Sequence, residues 1–165
     1  MSDFLQRLIV CGAADIDRYR SRQITHALSI SNPGISRKPP WFEGEHRQLW
    51  FGDVTSEQEA VRRKTRAPTP EDLRQGLAFL RQAWLGSNSR AAIYSDQGAS
   101  RAPALAYVFI AEQLGPGSEA EALRLVMRLR PTAAPNKFVV RLGDTLLHRN
   151  GELLRLLTLK TEVRF

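Results

Sequence analysis

The stretch from Arg90 to Leu114 constrains the fold of this chain more than any other. Arg90–Tyr94 (RAAIY) reads as a short buried strand. Ser95–Arg101 (SDQGASR) reads as a tight turn around Gly98. Arg101–Leu114 reads as an apolar helix. A buried strand that turns directly into an apolar helix belongs to a sheet with helices packed on it. In such sheets ligands sit at the carboxyl ends of the strands, where loops lead into helices. Ser95–Arg101 is therefore the first place to look for a site.

The rest of the chain agrees with an α/β reading. Arg7–Gly12 (RLIVCG), Ile24–Ile30 (ITHALSI) and Gln48–Val54 (QLWFGDV) read as three further strands, and residues 15–22 as a short helix. Ser31–Glu45 holds Asn-Pro-Gly and Pro39-Pro40 and reads as a loop that forms part of a pocket rim. Thr55–Pro68 carries Arg62, Arg63, Lys64 and Arg66 and reads as a basic loop or an irregular helix. Thr69 can cap the helix that follows, with Pro70 at its first position, Glu71 and Asp72 in its first turn, and Leu73, Leu77, Leu80 and Trp84 at helical spacing. Ser118 with Glu121 suggests a capping box for a helix to about Arg130. A helix from about Asn136 to Arg149 is broken by Gly151, and a short apolar segment follows. The expectation is one domain over residues 1–160 with a tail at 161–165: a central four- to five-stranded sheet, mixed or largely parallel, flanked on both sides by helices.

Composition excludes several classes. A chain of 165 residues is the size of one ordinary domain. With one cysteine, Cys11, there is no internal disulfide and no multi-cysteine zinc site. His26, His46 and His148 lack ligand spacing, so no metal or other cofactor is expected. The N-terminal apolar stretch is too short for a signal peptide, and no apolar run approaches membrane-spanning length, so a reducing cytoplasm is the expected location. The formal charge of +7 favours anionic partners but does not choose among them.

The turn itself reads as an anion cradle. Backbone N–H groups of a tight strand–helix turn form a concave nest. The helix that follows adds its positive end and unpaired donors. Arg101 stands where its guanidinium fork can clamp two oxygens of one anion. Gly98 lets the chain turn where a side chain would block the ligand.

The stretch IYSDQGASRAPALA resembles the signature of the protein tyrosine and dual-specificity phosphatases: His-Cys, five residues, then Arg, with a central Gly and a Ser before the Arg. Gly98, Ser100 and Arg101 match it, Tyr94 takes the place of the His, and Ser95 takes the place of the nucleophilic Cys. The Ala102-Pro103 pair is similar to the phosphatases of regenerating liver. LWFGDV resembles the strand and Asp that precede the phosphate loop in small bacterial tyrosine phosphatases. LRPTAAPNKFVVRLGDTLLHRNGEL resembles the C-terminal helical part of the same group, so the similarity covers most of the chain.

The resemblance implies hydrolysis of phosphotyrosine or a similar phosphate monoester, metal-free, through a covalent phosphoenzyme. It makes Arg101 the clamp, Asp53 the general acid, and the amides of Asp96, Gln97, Gly98, Ala99 and Ser100 the nest. Two departures matter. A serine hydroxyl at Ser95 offers no thiolate, so the chain is expected to bind phosphate without turnover. Ala102 replaces the Ser or Thr that many relatives place after the Arg, whose hydroxyl assists the leaving thiolate. An engineered Cys-to-Ser trap and a natural pseudophosphatase both fit Ser95. The partners implied are a phosphorylated protein or another phosphate monoester, with free phosphate or sulfate as small occupants and no membrane. A non-catalytic phospho-ligand module and, less favoured, a basic nucleic-acid-associated protein are the competing readings.

Simpler roles stand beside these. Asp53 could cap a turn or pair with an arginine of the 62–66 cluster, with Glu57 and Glu59 as fallback acids. The cluster itself could be a solvated face. Cys11 reads as an inert core residue and His26 as packed or half-exposed. Trp41, Trp50 and Trp84 read as core or pocket walls, and Tyr94 as packed beneath the loop. The serine-hydrolase elbow and the Walker loop both lack required residues here.

Overall fold

A computed structural model describes residues 3–162. Four strands, β1 (Leu8–Gly12), β2 (His26–Ser31), β3 (Glu45–Trp50) and β4 (Ala91–Ser95), form one sheet in the order β1-β4-β2-β3. Every pairing is parallel. The helices are α1 (Asp3–Arg7), α2 (Glu57–Arg62), α3 (Pro70–Leu85), α4 (Arg101–Leu114), α5 (Glu119–Leu129), α6 (Lys137–Leu146) and α7 (Glu152–Glu162). Among the described residues no helix is long and apolar enough to cross a membrane.

Period-two alternation divides the strands between two cores of unequal depth. Leu8, Val10, Leu28, Ile30, Leu49 and Ile93 face the helical layer, where they meet α3 and α4. Ile9, Cys11, Ala27, Ala92 and Tyr94 face the other way, under a 3₁₀ turn at Ile16–Arg22 and the segment around Trp41 and Phe42. The helices therefore flank the sheet asymmetrically, with the thick layer on one face. Helix α4 is buried from Arg101 to Ala111, which its apolar sequence requires.

Helix α3 starts as its sequence dictates: Thr69 accepts from the Asp72 N–H, Asp72 accepts from the Thr69 N–H in return, and Pro70 sits in the first turn. Elsewhere the structure corrects the sequence. The third strand is Glu45–Trp50, because the chain leaves the sheet at Gly52, whose N–H donates to the Arg66 carbonyl and whose place is filled by Thr65. The capping box at Ser118 does not form. The Ser118 backbone is not extended, its hydroxyl donates to the Leu114 carbonyl, and Glu121 pairs with Arg124. Residues 55–68 hold a real helix, α2, capped by Ser56. Helix α6 stops at Leu146, and left-handed His148, Asn150 and Gly151 turn the chain. The segment after Gly151 is helix α7, which runs to Glu162; the rest of the expected tail, 163–165, lies outside the described residues.

Candidate functional site

The site begins with two glycines that lock backbone to backbone. Strands β1 and β4 end side by side, with Gly12 opposite Ser95, and the Ala13 N–H donates to the Ser95 carbonyl at 2.8 Å. The chain then turns through Gly98 at φ +68°. A Cβ on Gly98 would stand 2.2 Å from the Cys11 carbonyl carbon and from the Gly12 nitrogen. A Cβ on Gly12 would stand 2.9 Å from the Gln97 carbonyl oxygen. Gly98 is thus required by its approach to β1 as well as by its left-handed backbone. The approach to β1 comes in addition to the expectation that Gly98 lets the chain turn where a side chain would block a ligand. The contribution of Gly12 was not legible, because nothing in sequence shows which turn its strand end will touch.

From this lock the loop Ser95–Arg101 closes around a cavity of about 200 Å³, lined also by Asn32, Asp53 and Arg63. Its carbonyl groups bond elsewhere. Arg130 Nη2 donates to the Gln97 carbonyl at 3.1 Å, the Ala134 N–H to Ala99 at 2.7 Å, and the Ala104 and Asn136 N–H groups to Ser100 at 3.1 Å each. The amides are different. Among the described residues no protein acceptor takes the N–H of Asp96, Gln97, Gly98, Ala99 or Ser100. Five successive unpaired donors lining one concavity are an arrangement that calls for an anion or water.

Arg101 lies at the base of this concavity and is 5% exposed. Its Nη1 donates to the Phe51 carbonyl at 2.8 Å and to Asn32 Oδ1 at 3.5 Å, and its Nη2 to Asp96 Oδ2 at 3.2 Å. The guanidinium is held inside the site and turned away from bulk water. Ser95 is 3% exposed, and its Oγ accepts from the Ala102 N–H at 3.3 Å. Among the described residues no imidazole or carboxylate bonds that hydroxyl, so nothing in its contacts activates it as a nucleophile.

Asp53 meets the loop from the β3 side. Its Oδ1 accepts from Ser100 Oγ at 2.7 Å and from Asn136 Nδ2 at 2.8 Å. Asn136 also caps α6 through Val139 N–H and donates to the Val54 carbonyl. It fixes Asp53 and the start of α6 together, a role that no sequence signal assigned. The pairing of Asp53 with the basic cluster is limited to its main chain, since Arg63 Nη1 donates to the Asp53 carbonyl at 2.9 Å. The fallback acids are elsewhere. Glu59 is engaged with the N–H and hydroxyl of Thr55 and with Arg63, which hold its carboxyl below the usual range, and neither Glu57 nor Glu59 lines the cavity.

The basic cluster divides by residue. Arg63 reaches the cavity, whereas Arg66 makes a bidentate pair with Asp72. Tyr94 is fully buried, and its hydroxyl donates to the Arg37 carbonyl at 2.7 Å, so it holds the rim segment 32–40 from below. Burial pushes the Tyr94 phenol up to about 12 and the Cys11 thiol up to about 12. Cys11 is a core residue, and His46 and His26 are side chains hydrogen-bonded to Ser29 and Thr25. Trp84 is packed on Phe4 and Phe109. Trp50 is neither core nor pocket wall: it is 44% exposed on the edge strand, with its indole N–H on the Ile35 carbonyl. Among the described residues no cluster of three metal-ligating side chains exists.

No protein-family model and no curated protein sequence matches the chain. Solved structures do. Human DUSP28 superposes with a TM-score of 0.67 at 18% identity, over 88% of this chain and 94% of that one. DUSP15 gives 0.66 at 18% identity, over 97% and 93%. A human tyrosine phosphatase-like serine/threonine/tyrosine-interacting protein gives 0.62 at 16% identity, over 82% and 84%. The resemblance carried by Ser95–Arg101 and the architecture built around it lead to the same place: the chain has the fold of the dual-specificity and tyrosine phosphatases.

Proposed function

We propose that this protein holds the phosphate monoester of a phosphorylated protein in the Ser95–Arg101 loop and, with serine at position 95, does not hydrolyse it. The observation that carries this reading is the run of five unpaired amides from Asp96 to Ser100 above a buried, pinned Arg101. A dianionic phosphate offers acceptors to the amides and to a guanidinium fork at once. Ser95 sits beneath it with the helix α4 amide of Ala102 on its hydroxyl. In the phosphatase chemistry that the fold suggests, a thiolate there would form a bond to phosphorus as the ester P–O bond breaks. Asp53, held by Ser100 and Asn136, would give its proton to the leaving oxygen and then take one from water. Serine blocks the first of these steps and leaves the cradle whole. One of the structural neighbours is a phosphatase-like interacting protein, and an interacting role suits a chain that binds and does not turn over. The single buried cysteine suits the reducing cytoplasm.

The test has a binding arm and a turnover arm. Titration with inorganic phosphate should give saturable binding that Arg101→Ala abolishes. Retention of that binding in Arg101→Ala would sink the reading. Para-nitrophenyl phosphate should not be turned over by the protein, while Ser95→Cys should turn it over slowly and leave a phosphocysteine that mass spectrometry detects. Slow turnover follows from Ala102, which has no hydroxyl to assist the departing thiolate. Equal turnover by both proteins would show that position 95 is not the nucleophile. Binding to nucleic acid that falls steeply with salt and ignores Arg101→Ala would instead favour the basic-surface reading.

A further inference from the structure

Asp96 already occupies part of the cradle. Its Oδ2 accepts from Arg101 Nη2 at 3.2 Å, and its Oδ1 lies 3.2 Å from Arg37 Nε and 3.1 Å from Arg37 Nη2. One carboxylate therefore bridges the buried clamp and an arginine of the rim. Arg37 and Asp96 side chains are partly exposed, at 39% and 28%, while that of Arg101 is 6% exposed. Asp96 also forms a wall of a second cavity, shared with Arg37, Lys38 and Asp17, outside the cradle. It stands at the boundary between the two.

We propose that Asp96 is a specificity-determining residue of the cradle: its carboxylate competes with the incoming anion for Arg101, and Arg37 draws it aside when the anion binds. The inference rests on the reading of the loop as a phosphate site. The physical argument is simple. The Arg101 Nη1 group is engaged by the Phe51 carbonyl and Asn32, so Nη2 is a principal donor left for a ligand, and Asp96 has it. A carboxylate beside the cradle also repels an anion in proportion to the anion's charge. Dianions suffer about twice the penalty of monoanions of the same shape. Arg37 lowers that penalty by offering Asp96 a partner on the rim side. The Arg37 main chain is fixed for this by the Tyr94 hydroxyl. Asp96 thus makes the site discriminate by charge as well as by shape, and favours ligands able to displace it through the full set of amide bonds.

The experiment uses sulfate and methyl sulfate, a dianion and a monoanion with comparable oxygens, titrated calorimetrically into the whole chain. Asp96→Asn preserves the shape and removes the charge. It should tighten sulfate by about ten-fold and methyl sulfate by about three-fold, the ratio set by charge. Arg37→Ala should weaken sulfate several-fold, and this effect should disappear in the Asp96→Asn background. Unchanged or weaker sulfate binding by Asp96→Asn overturns the proposal, as does equal tightening of both anions or an Arg37→Ala effect that survives in the double variant. These outcomes are distinct from failure of the site itself. If neither anion binds the parent or Asp96→Asn, or if Arg101→Ala leaves binding intact, the phosphate reading falls and this inference with it.

Discussion

The floor and the rim of the cradle are built by different means. The floor is main chain on main chain, with Gly98 against Cys11 and Gly12 and the Ala13 N–H on the Ser95 carbonyl, and the buried Arg101 guanidinium is tied to it through the Phe51 carbonyl. The rim is fastened by side chains, through Asp96 to Arg37, the Trp41 indole to Asp17, and Tyr94 to the Arg37 carbonyl. Main-chain contacts of this kind admit few alternatives, since any Cβ in the gap collides. Side-chain fastenings that reach solvent are individually weak and exchangeable. The difference separates a fixed floor from an adjustable surround; on the proposed reading the first would hold the phosphate and the second would meet whatever carries it.

Substitutions at two left-handed glycines should break or sharpen this contrast most. Gly98→Ala combines a disfavoured φ with a Cβ 2.2 Å from backbone and should cost more than about 3 kcal/mol, read as a large fall in the denaturation midpoint with loss of phosphate binding. Gly34 on the rim has φ +87° and open space around it. Its alanine variant should cost only about 1 kcal/mol. Equal effects at the two positions would erase the distinction.

Alkaline stability gives the next test. Cys11 is raised to about 12 from 9.0 and Tyr94 to about 12 from 10.0, in each case chiefly by burial. Both folded values exceed the unfolded ones. Their contribution is therefore complete below about pH 9 and is lost as pH rises toward 12. Urea unfolding should show stability declining across that window, and Cys11→Ala should flatten the decline by removing one contributor, with Tyr94 and the likewise burial-raised Tyr107 remaining. A decline of the same slope in Cys11→Ala would contradict the assignment. The smallest effect concerns the rim anchor. Tyr94→Phe leaves the Arg37 carbonyl without its donor and should cost about 1 kcal/mol, with a loss of phosphate affinity smaller than that of Arg37→Ala because the floor is untouched and the Arg37 side chain remains.

What the sequence disclosed follows the same division. Strand β4, the turn at Gly98 and helix α4 were legible because local signals coincide: a short apolar run, a glycine, an apolar helix. The start of α3 was legible because its cap is local, in Thr69 and Asp72. Helix α7 was not, because its first turn is capped from a distance. Asp144 accepts from the Gly151 and Leu153 N–H groups, and no residue near Gly151 announces it. Ser118 erred in the opposite sense, having the right residues in a backbone that turned the hydroxyl away. Of the candidate site, Arg101, Asp53 and the loop could be named from their spacing and their resemblance to the phosphatase signature. Asn136, Asn32, Gly12 and Arg37 reach it across the fold and leave no mark at sequence range. Trp50 looked like a core residue because neither strand register nor edge position is written in its neighbours.

The parallel pairing of β1 with β4 joins residues at the two ends of a span of about eighty residues, Leu8 with Ala91 through Gly12 with Ser95. Closure of so long a span is slow, and nothing short of it aligns Gly12 with the turn that Gly98 makes. The concavity lined by Ser95–Arg101 therefore depends on a pairing between distant parts of the chain. On the proposed phosphate reading, a phosphorylated ligand would engage only molecules in which that pairing has closed, and its binding would raise the stability of the folded chain.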